Sequence, residues 1–236
     1  MPPRSLFDNS HRPDKLVMPA CGECNRGTSK SDLVASLVSR WNYLNSEKER
    51  EDHGRLAAYA KKQYPDLLAE WKGQLDRSKA RNHLINQGVP VPVDAELITV
   101  GPATITQLNI FSHKTALGLY FEKFKEPMPD AGRVSAYWRT KEDFAKDGMP
   151  NELLDMMRQY GTLEQGKWNA RETFEYRFET NESDGLLMYL ARLRGNLFVS
   201  GFAIRDSHLI EDDDGSWIKP SDLLSMDGDP RFEKRH

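Results

Sequence analysis

The sequence predicts an α+β fold, and three observations carry the prediction. Leu33, Val34, Leu37, Val38, Trp41 and Leu44 recur at the three-and-four spacing of an amphipathic helix. The stretch "ATITQLNIFSHKTALGLYFEKF" at 103–124 is apolar on most sides and ends before Pro127, as a long buried helix does. Finally, Phe174, Tyr176 and Phe178 alternate, and "GLLMYLARL" and "NLFVSGFAI" follow, joined by a tight turn at Arg194, Gly195 and Asn196. Strands grouped after helices, rather than alternating with them, argue for an antiparallel sheet with helices on one face.

The remaining elements follow in order. Residues 1–31 are rich in Pro, Gly, Ser and Asn, with apolar stretches as short as "KLVMPAC". Such a segment is a loop or a small metal-organised unit. Ser31 is the expected N-cap of the first helix, with Asp32 in its first turn. The charged "NSEKERED" separates it from "HGRLAAYAKKQY"; beyond Pro65, "DLLAEWKGQLDRSKARNHLINQG" reads as one helix closing at Gly88. "VPVPV" is an extended linker, because each residue before a proline is pushed out of the helical region. "ELITV" and "RVSAYWR" are strand candidates, and "KEDFAKDGMPNELLDMMRQY" is helical with a break at Gly148 and Pro150. The polar tail after Ile204 is expected to be loosely attached. The expected units are therefore 1–32 (a cysteine-bearing segment), 33–92 (helical), 93–210 (α+β) and 211–236 (polar tail), with no internal repeat.

A chain of 236 residues buries a core without disulfide staples, and 29% charged residues with a mean hydropathy of -0.70 mark a polar globular protein. No apolar run approaches the roughly 20 residues of a membrane span, and "MPPRSLFDNSHRPDK" lacks the apolar core of a secretory signal. The expected setting is cytoplasmic, with no membrane partner. A net charge of -3 argues against a uniformly basic nucleic-acid coat. Locally, Arg4, Arg12, Lys15, Arg26 and Lys30 outnumber Asp8, Asp14 and Glu23, while "IEDDDGSW" is acidic. The N-terminal excess is a basic patch or ordinary solvated charge.

Both cysteines, Cys21 and Cys24, lie in "ACGECNRGTSKSDL". Two thiolates separated by two residues supply half of a tetrahedral zinc site, and the same spacing suits a redox pair. The context is more informative. "LVMPACGECNRGTSKSD" at 16–32, with "MPPRSLF" upstream, resembles the second half of the HNH endonuclease motif, in a branch reading "EH-x-PP-x-x-LF … NL-x-x-P-x-C-x-x-CN-x-G-x-SK-x-D".

That resemblance implies two short strands and a helix around one divalent ion, and hydrolysis of DNA phosphodiesters by a water that the motif's first histidine deprotonates. It implies structural Zn2+ at Cys21 and Cys24 and catalytic Mg2+ or Mn2+ near Asn25, the last letter of the motif. The middle Asn of the motif falls on Lys15, or on Asp14 with one residue of slack. The first histidine and the upstream Cys-x-x-Cys fall before Met1. Either the true start lies upstream or the base has been lost; on both readings the chain as written cleaves weakly, since losing a general base costs about a hundredfold to ten-thousandfold. The alternative is a catalytically inactive HNH-derived zinc module that binds nucleic acid or a protein, and a third is a switchable Cys21–Cys24 disulfide. A homodimer pooling two half-knuckles is another route to four thiolates.

Further candidates are each weighed against a structural role. His11 is a third metal ligand, a substitute base, or an exposed loop residue. Asn25 is a metal ligand or a turn residue before Gly27. Arg4, Arg26, Lys30 and Arg40 are phosphate contacts or surface charge, with Lys30 at a helix entrance that favours anions. Lys61, Lys62, Lys72, Lys79 and neighbouring arginines form a DNA face or, with interspersed acids, a solvated one. His113 and Tyr120 mark a pocket or are satisfied core groups. Trp138, Phe174, Tyr176 and Phe178 read as sheet packing.

Overall fold

The computed structural model describes residues 3–7, 21–41, 47–73, 76–86, 88, 91, 99–148, 151–162, 164–165, 168–169, 173–210 and 215–234. Its elements are helices α1 (Gly22–Gly27), α2 (Ser29–Val38), α3 (Glu47–Gln63), α4 (Pro65–Lys72), α5 (Arg77–Asn86) and α6 (Pro102–Phe124). Strand β1 (Arg133–Thr140), helices α7 (Lys141–Asp147) and α8 (Asn151–Met156), and strands β2 (Gln159–Thr162), β3 (Glu164–Gln165), β4 (Trp168–Asn169), β5 (Phe174–Asn181), β6 (Leu186–Leu193) and β7 (Leu197–Ile204) follow.

Helix α6 is the predicted long helix, 23 residues with Pro102 at its start, where a missing N–H costs nothing. It lies against a five-stranded antiparallel sheet of order β1-β7-β6-β5-β2. Period-two alternation turns Val134, Ala136 and Trp138 of β1, Phe174, Tyr176 and Phe178 of β5, and Tyr189 of β6 into the same core as Phe111 and Leu119 of α6. The meander is thus as expected, and β1 and β2 extend it at its two edges. Arg194 adopts a left-handed φ of 52° in the β6–β7 turn. That conformation is held from outside: its N–H bonds the Thr173 carbonyl at 2.8 Å and its Nε the Leu6 carbonyl at 3.0 Å.

Helices cover both faces of the sheet, not one. On the face away from α6, Phe144 of α7 stacks edge-on against Phe198, and Leu154 of α8 and the following Met157 pack with Met188 and Leu190. The reason is compositional: all the even positions of β6 and β7 except Arg192 and Ser200 are also apolar, so the second face needs cover.

Several helix boundaries differ from expectation. The first long helix starts at Ser29 with Thr28 as N-cap; Ser31 lies inside it and donates to the Thr28 carbonyl at 2.7 Å. It ends at Val38, where Asn196 donates to the Val38 carbonyl at 2.8 Å. The charged "EKERED" is the first part of α3 rather than a separator. The helix read as continuous from Asp66 to Gly88 breaks at Gly73, with φ 4° and ψ 172°, where a Cβ would stand 3.1 Å from both the Glu70 carbonyl and Thr99 Oγ1. Within "ELITV", Thr99 and Val100 are not strand, and 96–98 lie outside the described residues.

The largest departure is the tail, which is docked rather than loose. Ile218 pairs with Val134 in a β-bridge, and Leu223, Met226 and Phe232 are buried in the main core. Four apolar residues scattered through a polar segment carry no periodic signal, yet each finds a slot beside α6. Asn109 of α6 fastens them: its Nδ2 donates to the Phe232 carbonyl at 2.9 Å while its Oδ1 accepts the Trp138 indole N–H at 3.0 Å. Replacing Asn109 with Leu strands both groups in the core, at about 2–4 kcal/mol. The expected result is a lower urea midpoint, with the tail becoming the first segment cut in limited proteolysis.

Candidate functional site

Cys21, with extended φ -63° and ψ 153°, is the N-cap of α1. Its Sγ accepts the backbone N–H of Cys24 at 3.0 Å, and its carbonyl accepts the Asn25 N–H at 3.0 Å. The expected knuckle turn is therefore a helical N-terminus, with both cysteines in its first turn. Cys21 is exposed and Cys24 half-buried.

The hydrogen bonds separate the two thiols chemically. Donation from the Cys24 thiol, then from the Cys24 N–H, lowers the pKa of Cys21; holding that proton on Cys21, then partial burial, raises the pKa of Cys24. The turn is anchored behind by Thr28, fully buried, whose Oγ1 donates to the Cys24 carbonyl at 2.8 Å.

Asn25 and Arg26 follow on the exposed side of α1. The Arg26 guanidinium folds back toward Gly22, whose Cβ position lies 3.3 Å from Nη1. Beside it a cleft of about 300 Å³ opens between α1 and the 3-10 turn Pro220–Leu224, lined by Glu23, Arg26, Gly27, Ile110, Leu223, Leu224 and Asp227. Gly27 permits this approach, since a Cβ there would stand 2.6 Å from Leu224 Cδ2. Asp227 is fixed by Gln107 Nε2 at 3.2 Å. Sequence reasoning missed the part the tail plays here, because roughly 200 residues separate the two walls and neither carries a local signal for the other.

The other candidates are dispersed. Lys30 pairs with Asp66 at 3.0 Å and lies 5.5 Å from the centre of the Tyr64 ring. Its hydrogen bond is the main cause of a lowered Asp66 pKa. Arg40 is withdrawn from any phosphate: it is 1% exposed and donates to the Ser36 and Leu6 carbonyls at 2.7 and 3.0 Å. Arg4 begins the 3-10 turn Arg4–Leu6, and its side chain lies outside the described residues, as do His11, Asp14 and Lys15 entirely. His113 is a satisfied core group, bonded to the Asn109 carbonyl at 2.8 Å and stacked edge-on with Phe232. Tyr120 accepts from Arg205 Nε at 3.3 Å. On the helical face Arg55 pairs with Asp52 and Lys79 with Asp76.

Among the described residues no group of three or more His, Cys, Asp or Glu is placed to hold a metal ion. The donor set of Cys21 and Cys24 suits half of a tetrahedral zinc site and requires two ligands from elsewhere. No family model, curated protein or solved structure matches the chain. No helix among the described residues is long and apolar enough to cross a membrane.

The site is tied to the core through Asp32 of α2, which meets Lys114 of α6 at 2.7 Å. Burial raises the Asp32 carboxyl above its ordinary 3.8, against the pull of Lys114. A carboxyl raised on folding favours the fold while protonated, so its contribution is full below the ordinary value and lost as pH rises through the raised one. Lys114→Met removes the opposing charge and raises the carboxyl further. Urea midpoints measured from about pH 4 to about pH 7 should fall more steeply in the variant than in the parent.

For the thiols, iodoacetamide with peptide mapping should modify Cys21 before Cys24, and the preference should widen as pH is lowered.

Proposed function

We propose that the chain is an HNH-lineage, metal-dependent endonuclease component acting on DNA phosphodiesters. Cys21 and Cys24 provide one knuckle of a structural zinc site, and Asn25 faces the catalytic magnesium or manganese. The observation that supports this best is the placement of both cysteines in one surface turn, with the Cys24 N–H on the Cys21 sulfur and Asn25 and Arg26 exposed beside it. Bound there, a divalent ion supplies neutralisation of charge on the phosphate and the leaving oxygen. The chain's own residues bind and orient: Asn25 offers a neutral oxygen to the metal side, and Arg26 offers charge-assisted hydrogen bonds to phosphate oxygens at the rim of the cleft. Arg4 and Lys30 are further phosphate contacts on this reading, His11 a further metal ligand, and Asp14 or Lys15 the residue at the motif's middle position.

Activation of water needs a base, which on this resemblance is the motif's first histidine. RNA carries the same phosphodiester, and a second copy of the chain is one source of the two missing zinc ligands.

The test combines zinc loading with plasmid DNA. The loaded chain should retain zinc and shift DNA in a gel at low salt, and Arg26→Ala should weaken the shift several-fold. Magnesium or manganese should produce slow nicking, lost in Asn25→Ala. Retained zinc and DNA binding without nicking move the reading to the inactive binding module. A folded chain that neither holds zinc nor binds DNA overturns it.

A further inference from the structure

The geometry of the two cysteines fits a second chemistry besides metal ligation. Cys21 is exposed and open to an incoming reagent, with only glycine at the next position. Cys24 is half-buried, and its backbone N–H donates to the Cys21 sulfur at 3.0 Å. That bond holds the Cys21 sulfur over the turn that bears Cys24. The more exposed thiol is thus placed to be reached first from solvent, with the less exposed one beside it in the same turn.

We propose that Cys21 and Cys24 form a dithiol–disulfide exchange site whose oxidant is a low-molecular-weight disulfide of the glutathione type. The Cys21 thiolate attacks one sulfur of the incoming disulfide, forming a mixed disulfide and expelling one small thiolate. Cys24 then loses its proton and attacks Cys21 Sγ, breaking the mixed disulfide and expelling the second small thiolate. The protein dithiol is oxidised by two electrons, and one small disulfide is reduced to two thiols. The closed form has no thiolate to offer a metal, so oxidation and zinc ligation exclude each other at this corner. The inference stands on the thiol pair itself and holds whether or not the chain is a nuclease.

The test uses the full chain, freed of metal with a chelator and equilibrated with reduced and oxidised glutathione. It is then acid-quenched, alkylated and weighed intact. The parent should lose the mass of two hydrogens, carry no glutathione and recover both thiols on reduction. Cys24→Ser should trap one glutathione on Cys21. Cys21→Ser, which keeps an N-cap acceptor, should acquire glutathione more slowly. Retention of both thiols under oxidising conditions, a persistent glutathione adduct on the parent, or equal adduct rates in the two variants would each overturn the proposal. Zinc retention, read in parallel with a chromophoric chelator on the reduced chain, separates this idea from the nuclease reading. Oxidation without zinc binding retires only the latter, and zinc binding without oxidation retires only the former.

Discussion

Helix α6 is buried along most of its length, and its sequence is not purely apolar. Thr104, Thr106, Gln107, Asn109, Ser112, His113 and Thr115 all lie within its buried part. A buried polar group without a partner costs about 1–3 kcal/mol, so each must be answered locally or by another segment. Ser112, His113 and Thr115 turn back onto their own helix, at the Leu108, Asn109 and Phe111 carbonyls. The others recruit the rest of the chain. Glu70 of α4 accepts the N–H groups of Ala103 and Thr104 and the Thr104 hydroxyl, capping the helix with a carboxylate where its dipole favours one. Trp71 donates to the same hydroxyl at 2.7 Å. Asn109 and Gln107 hold the C-terminal segment, and Lys114, toward the rim, holds α2.

The cysteine corner inherits its position from this arrangement. Its turn leads into α2 through the buried Thr28, α2 is tied to α6 by Asp32 and Lys114, and the C-terminal 3-10 turn closes against Gly27. Leu6 and Phe7, upstream of the cysteines, are buried in the same core. Their backbone is held as well: the Leu6 carbonyl accepts from both Arg40 and Arg194. Two arginines spent on one buried carbonyl are structural cations. Arg26, by contrast, is exposed beside the cysteines.

That placement gives the corner two properties that rarely coincide. Cys21 is exposed and Cys24 half-buried, while the backbone bearing them is anchored on three sides. Both proposed chemistries draw on the same sulfur electron pairs, which makes them competitors for one state of the protein. Asn25 and the cleft beside α1 are common to either state.

Periodicity alone determined much of the architecture. The three-and-four stripe of α2, the length of α6, the break between α7 and α8, and the β5–β6–β7 meander were all legible, because each depends on residues within one element and on its start and stop signals. The proximity of Cys21 and Cys24 was legible for the same reason, since both lie within a single turn. Tertiary structure decided what depends on partners far away in the chain. Ser31 lost its capping role to Thr28, and Gly73 became a break where Thr99 approaches. Arg40 moved from candidate phosphate contact to buried donor because the Leu6 carbonyl lies beside it. The tail became a wall of the cleft because α6 offers it both apolar slots and Asn109. Such outcomes rest on matching one polar or apolar group to another across the core, and no window of neighbouring residues contains both halves of the match.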